Sequence, residues 1–203
     1  MKLLFISLGC DKNLVDSEFM IGMLTQEGIE LTDNEEDADI IIVNSCCFIG
    51  DAKEESINTI LEMAEYRKHG KCKSLIVTGC LAQRYQDEVL KEIPEVDAIL
   101  GTNSYDSIFE AVKETLNHHK YQNLHTLEGL PSLNTKRVVT TGGHFAYLKI
   151  SEGCNKNCTY CVIPSVRGRY RSVPMEELAA QARALVAGGV KELILVAQET
   201  TLY

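Results

Sequence analysis

Ile40-Ile-Ile-Val43, running straight into Asn44-Ser45-Cys46, decides how the chain folds. Four β-branched apolar residues in a row read as a strand buried on both faces, the kind that parallel sheets use. The signal recurs on either side. Leu3-Leu-Phe-Ile6 reads as a strand, with a helix over Leu14–Gln26 after it. Ile40–Val43 precedes a helix near Ala52–Lys68, and Leu75-Ile-Val77 precedes one near Ala82–Glu92. Ala98-Ile-Leu100 precedes a helix over Ser104–Asn117. Such alternation gives right-handed crossovers and an α/β parallel sheet of the flavodoxin or Rossmann type. This first domain is placed at residues 1–120.

Over 121–143 the rhythm is lost. Pro131, Asn134, Thr140, Thr141, Gly142 and Gly143 mark a linker, with a short hairpin expected around Arg137-Val-Val139. A second unit follows at 144–203. Phe145–Ile150 reads as its strand, Pro174 as a helix start with Glu176 and Glu177 in the first turn, and Gly188-Gly189 as the helix end. Leu193–Val196 is the next strand. One β-α-β piece leaves apolar edges that further chain must cover, so the unit reads as incomplete. The chain is expected to be a piece of a longer protein.

The composition is that of a globular protein, 45% apolar and 24% charged. Met1-Lys-Leu-Leu-Phe-Ile-Ser-Leu-Gly-Cys10 is too short and too weakly basic for an export signal. No apolar run approaches the roughly 20 residues of a membrane span. The cytoplasm is therefore the expected compartment. Net charge is −9, and it is uneven: residues 1–144 carry 24 acids against 13 bases, residues 145–203 carry 5 against 7. An acidic first domain is a poor footprint for nucleic acid and tolerates a basic protein partner. A solvated acidic surface accounts for the same charge equally well.

The eight cysteines punctuate strands and helices rather than stapling loops, which favours metal or redox use. Cys154, Cys158 and Cys161 sit in one short loop, with no fourth cysteine after them. A structural zinc site wants four protein ligands, and ferredoxin runs are ordered differently. Three thiolates on a four-iron cluster leave one iron open. Cys10, Cys46 and Cys80 are scattered, yet each falls just past an apolar strand and before a helix. In a parallel sheet those positions share one edge, where ligands collect. Periodicity leaves two readings open for this trio, shared ligation or buried packing. Cys47 is read as a packing residue and Cys72, between Lys71 and Lys73, as a surface thiol. Asp11, Asn13, Asp16, Ser17 and Glu18 read as helix capping, which suits Asp11 and Asn13, plus an acidic first turn, or alternatively as groups that orient substrate or tune a cluster held by the Cys10 trio. Arg167, Arg169 and Arg171 form either a solvated basic face or a contact for a carboxylate. The five histidines show no ligand spacing.

At these residues a resemblance appears. Cys154, Cys158, Tyr160 and Cys161 resemble the signature of radical S-adenosylmethionine (SAM) enzymes. Ser7-Leu-Gly-Cys-Asp-Lys-Asn-Leu-Val-Asp-Ser-Glu18, Val43-Asn-Ser-Cys-Cys-Phe-Ile49 and Ile163-Pro-Ser-Val-Arg-Gly-Arg-Tyr-Arg-Ser172 resemble the methylthiotransferases among them. They are most similar to the branch that modifies an aspartate of a small-subunit ribosomal protein. The resemblance implies that 144–203 begins a partial (βα) barrel. It implies two [4Fe-4S] clusters, one on Cys154, Cys158 and Cys161 that binds SAM, the other on Cys10, Cys46 and Cys80 that supplies sulfur. It also implies Tyr160 and Glu199 as SAM contacts and an electron donor of the flavodoxin or ferredoxin type. A radical route suits an unactivated C–H bond, which no side-chain base deprotonates at neutral pH. The rivals are methylthiolation of a transfer RNA adenosine, a non-catalytic iron–sulfur electron-transfer module and a zinc-binding interaction domain.

Overall fold

The computed structural model describes residues 1–131 and 137–203. Asn134, counted in the expected linker, lies outside the described residues. In chain order the first part contains β1 (Lys2–Ser7), α1 (Asp11–Gln26), β2 (Glu30–Leu31), β3 (Ile40–Ser45) and α2 (Gly50–His69). It continues with β4 (Ser74–Gly79), α3 (Cys80–Glu92), β5 (Ala98–Leu100), α4 (Ile108–Leu116) and β6 (Tyr121–Asn123). The six strands form one parallel sheet in the order β2-β1-β3-β4-β5-β6. Its first five strands follow the flavodoxin-like order.

The two faces of the sheet separate cleanly by residue parity. Ile41, Val43, Leu75, Val77 and Ile99 point to one side, where Ile60 and Met63 of α2 and Leu81 and Val89 of α3 cover them. Leu3, Ile40, Ile42, Ile76 and Leu100 point to the other, beneath Phe19 and Leu24 of α1 and Ile108 and Val112 of α4. Every residue of β3 and β4 is buried, which is what their unbroken apolar runs require. α1 and α2 leave the sheet on opposite faces after β1 and β3. A crevice opens between them at the carboxyl ends of those strands, the switch point of this topology.

The second part contains β7 (Phe145–Lys149), β8 (Ser151–Glu152), α5 (Ile163–Arg167), β9 (Arg171–Ser172), α6 (Met175–Ala187) and β10 (Glu192–Val196). β7 and β10 pair in parallel across α6, and β8 and β9 pair antiparallel. Ala146, Leu148, Ile150, Leu178, Leu185 and Val190 make its core. α1 packs against β7, and α3 against α5. Among the described residues no helix is long and apolar enough to cross a membrane.

Two expectations need correction. The stretch read as linker opens with β6, which pairs with β5 and lengthens the first sheet. Arg137–Val139 lie in no strand among the described residues, and the preceding side of the expected hairpin, 132–136, lies outside them. The Val138 amide donates to the Glu18 carbonyl of α1 at 3.1 Å and the Thr140 amide to the Glu18 carboxylate at 2.6 Å. With those donors satisfied by α1, no partner strand is required. Strands β2, β8 and β9 and helix α5 were not foreseen, being too short to show a period.

Replacing Ile42 by Ala should cost about 2–5 kcal/mol through the cavity it leaves. Exposed Glu54→Ala should change stability by less than about 0.5 kcal/mol. Urea denaturation midpoints measure both.

Candidate metal centre

Cys10 is the residue before α1, Cys46 follows β3 directly, and Cys80 opens α3 directly after β4. The three line one cavity of about 660 Å³, together with Asn13, Arg167 and Gln198. Local chemistry fixes each cysteine. Ser56 of α2 binds both the amide and the carbonyl of Cys46 at 2.9 Å. Asn13 donates to the carbonyls of Leu8 and Ser45 at 3.1 Å, joining the loops after β1 and β3. Gly79 has φ +90°, and a Cβ there would lie 2.3 Å from Asn44 Oδ1. Only glycine fits that turn into Cys80. Gly9 before Cys10 and Gly153 before Cys154 also have positive φ, at +95° and +75°. Three Gly-Cys pairs therefore share one backbone device, a repeat that is visible in the sequence itself.

The helix start at Cys80 favours a thiolate. Burial pushes the Cys80 thiol up, and the neighbouring Arg167 guanidinium works against that rise. Among the described residues no three His, Cys, Asp or Glu side chains converge tightly enough for a single bare ion. Three soft thiol donors around one cavity, with no fourth cysteine or histidine among its lining, are a donor set that an iron–sulfur cluster accepts.

The second trio lies on the loop between β8 and α5. Cys154 and Cys161 are half-buried and Cys158 is exposed. The loop is pinned at its base: the Gly153 amide donates to Gln198 Oε1 at 3.0 Å, and the Cys154 amide to the Gly168 carbonyl at 3.1 Å. Cys154 Sγ accepts the Lys156 amide at 3.4 Å, and the Cys161 amide donates to the Cys158 carbonyl at 3.0 Å. Tyr160 is 89% exposed. Glu199 pairs with Lys156 of the same loop, which holds its carboxyl below the usual range, and it also accepts from Thr201.

The two remaining cysteines are both interior. Cys47 Sγ donates to the Cys80 carbonyl at 3.3 Å, and burial pushes its thiol up to about 11. Cys72 is not the surface thiol expected from its basic flanks. It is buried, donates to the Ser74 carbonyl at 3.3 Å, and is pushed up to about 11 by burial. Lys71 and Lys73 instead reach toward Asp39. In the metal-free chain at pH 8, alkylation should therefore reach Cys158 well before Cys47 and Cys72, as peptide mass mapping over time would show.

Asp16, Asn13 and Glu18 are not a solvated first turn. Asp16 and Glu152 form a buried network with Lys149 and Arg167. Arg167 Nη1 donates to Asp16 at 2.7 Å and to Glu152 at 3.0 Å. Lys149 Nζ donates to Glu152 at 2.9 Å and also to Asp16. Its ammonium lies 5.4 Å from the Tyr105 ring centroid, within reach of a cation–π attraction. Gln198 donates to Glu152 at 2.7 Å while accepting from Gly153. Glu18, wholly buried, accepts from Arg137 Nε at 2.6 Å and from Thr140 Oγ1 at 2.8 Å. Of the three arginines read together, Arg171 ties to the carbonyls of Leu127 and Arg169, and only Arg169 lies in solvent.

Lys149→Met leaves two buried carboxylates sharing one arginine, and should cost about 3–5 kcal/mol. Glu152 titrates well below the usual carboxylate range: burial raises it, but Lys149 and then Arg167 more than reverse that. A depressed carboxyl stabilises the fold fully above its unfolded value near 4.5 and loses that contribution as pH falls toward about 2. Denaturation midpoints should thus fall on acidification below pH 4.5, and less steeply in Glu152→Gln.

The comparisons agree with this arrangement. Residues 148–203 match the radical SAM superfamily, and residues 2–101 match an uncharacterized protein family, UPF0004. The whole chain aligns with a radical SAM methyltransferase, TsrM, from Kitasatospora setae, whose structure holds cobalamin and a [4Fe-4S] cluster. The TM-score is 0.58 at 12% identity, covering 99% of this chain and 48% of that one, a likeness of fold. The chain is 63% identical over its full length to the ribosomal protein uS12 methylthiotransferase RimO of Lachnoclostridium phytofermentans, covering 46% of that protein. It is 50% identical to the protein of that name from Clostridioides difficile, again over all of this chain and 46% of the relative. With the RimO of Acetivibrio thermocellus it shares 53% identity, over 98% of this chain and 45% of the relative. The chain spans about half the length of these curated relatives. Its front part thus matches UPF0004, its second part the radical SAM superfamily, and its similarity along the whole chain is to proteins named RimO.

Proposed function

We propose that this chain is part of a radical SAM methylthiotransferase that places a methylthio group on an aspartate of a small-subunit ribosomal protein. The observation that carries the proposal is the cavity at the carboxyl ends of β1, β3 and β4, where Cys10, Cys46 and Cys80 face residues of the second unit. In this reading these thiolates hold one [4Fe-4S] cluster, and Cys154, Cys158 and Cys161 hold another. Clusters with an iron left open supply, when bound, the electron that cleaves SAM and the sulfur that is transferred.

The chain's own residues supply position and insulation. Gly9 and Gly79 turn Cys10 and Cys80 into the cavity, and Ser56 fixes the backbone of Cys46. Gln198 spans the two sites: it lines the thiol cavity and holds Gly153, the residue before Cys154. Tyr160 and Glu199 flank the second loop and are assigned to SAM. The acidic first domain suits a basic protein substrate. A small electron-transfer protein of the flavodoxin or ferredoxin type provides reducing equivalents, and the cytoplasm provides the reducing compartment that free thiols require. The carried support for the substrate is the identity to proteins named for it.

The test is an anaerobic assay of the complete protein with SAM, a reductant and either the ribosomal protein or transfer RNA. Methylthiolated aspartate is expected, and Cys10→Ala should yield none. Product on adenosine alone, or full activity in Cys10→Ala, overturns the assignment.

A further inference from the structure

The second unit contributes Ile163, Arg167, Ala197 and Gln198 to the thiol cavity, and of these only Arg167 carries charge. Its side chain is 2% exposed and held from three directions. Asp16 and Glu152 take Nη1 at 2.7 and 3.0 Å, and Asn13 Oδ1 takes Nη2. The same Asn13 oxygen lies 3.9 Å from Cys80 Sγ. The guanidinium is therefore fixed beside the wall that carries Cys80 and cannot swing toward solvent. It also keeps its proton at any accessible pH.

We infer that Arg167 is a positioning residue for electrons: it presents a fixed positive charge to the cluster on Cys10, Cys46 and Cys80 and raises that cluster's midpoint potential. The inference rests on the cluster assignment proposed above. Reduction adds one electron, supplied by the external donor, and no bond to protein changes. A nearby buried cation stabilises the more negative state, since charges interact strongly where water is excluded. Asp16 and Glu152 oppose this field. They accept from the guanidinium itself, whereas Arg167 is the charged member of the network that lines the cavity, where the first unit adds one charge of each sign, Lys12 and Glu55. Arg167 belongs to α5 of the second unit. The potential of the first cluster is thereby set by the docking of the second unit onto the first.

The test uses the complete protein carrying Cys154→Ala, Cys158→Ala and Cys161→Ala, so that one cluster remains. Its midpoint is read by potentiometric titration with electron paramagnetic resonance detection. Arg167→Gln alone would strand two carboxylates, so it is paired with Glu152→Gln, leaving Asp16 and Lys149 balanced. Asp16→Asn with Arg167→Gln leaves Glu152 and Lys149 balanced and is measured alongside. Both double variants should have a lower midpoint than the parent, and Arg167→Lys should recover most of the shift. An assembled cluster with an unchanged midpoint in either double variant overturns the inference alone. So does an Arg167→Lys shift as large as theirs, which would assign Arg167 to packing. A parent protein that assembles no cluster overturns the assignment on Cys10, Cys46 and Cys80, and the inference with it.

Discussion

Four charged side chains with almost no access to water hold this molecule in its working shape. Asp16 on α1, Lys149 at the end of β7, Glu152 in β8 and Arg167 at the end of α5 neutralise one another. Moving any one of them into the interior alone would be prohibitive, and together they balance two against two. Burying charge favours a single docking arrangement, because other seatings of the second unit leave a carboxylate or a cation unpaired. The Glu18 clamp on Arg137 and Thr140 adds a second, independent lock on the same helix.

The sheet supplies the other constraint. In a parallel sheet all strands deliver their carboxyl ends to one edge, so residues far apart in sequence meet there. Cys46 and Cys80 directly follow their strands and Cys10 lies a short turn beyond its own. Burial raises the Cys80 thiol, while the helix start and Arg167 work in the opposite direction. A cation brought in by the second unit thus compensates a cost created by the first. Fold, docking and thiolate chemistry converge where β4 passes into α3.

Much of the architecture was legible because long apolar runs and helical periods leave strong traces. β3 is buried over every position, and its reading from Ile40–Val43 was secure for that reason. That Cys154, Cys158 and Cys161 share one loop was equally plain, since residues so near in sequence cannot lie far apart. Two-residue strands such as β2 and β8 carry no period to detect, and β6, Tyr-Gln-Asn, lacks the apolar run that reveals the equally short β5. The charge network was invisible for a different reason. Asp16 and Glu18 sit near a helix start, where acids are ordinarily solvated, and their partners lie more than a hundred residues away. Cys72 was misread because flanking lysines imply a surface, yet alternate residues of an extended segment face opposite ways.

In the proposed function two sets of three thiolates each hold their own cluster, one in the cavity of the first sheet and one on the loop after β8. Anomalous diffraction at the iron absorption edge, from crystals of the anaerobically reconstituted protein, tests it most directly. Two separate iron peaks are predicted, one bounded by the sulfurs of Cys10, Cys46 and Cys80, the other by those of Cys154, Cys158 and Cys161. Iron on the loop alone, with the cavity among β1, β3 and β4 free of anomalous signal, would contradict it.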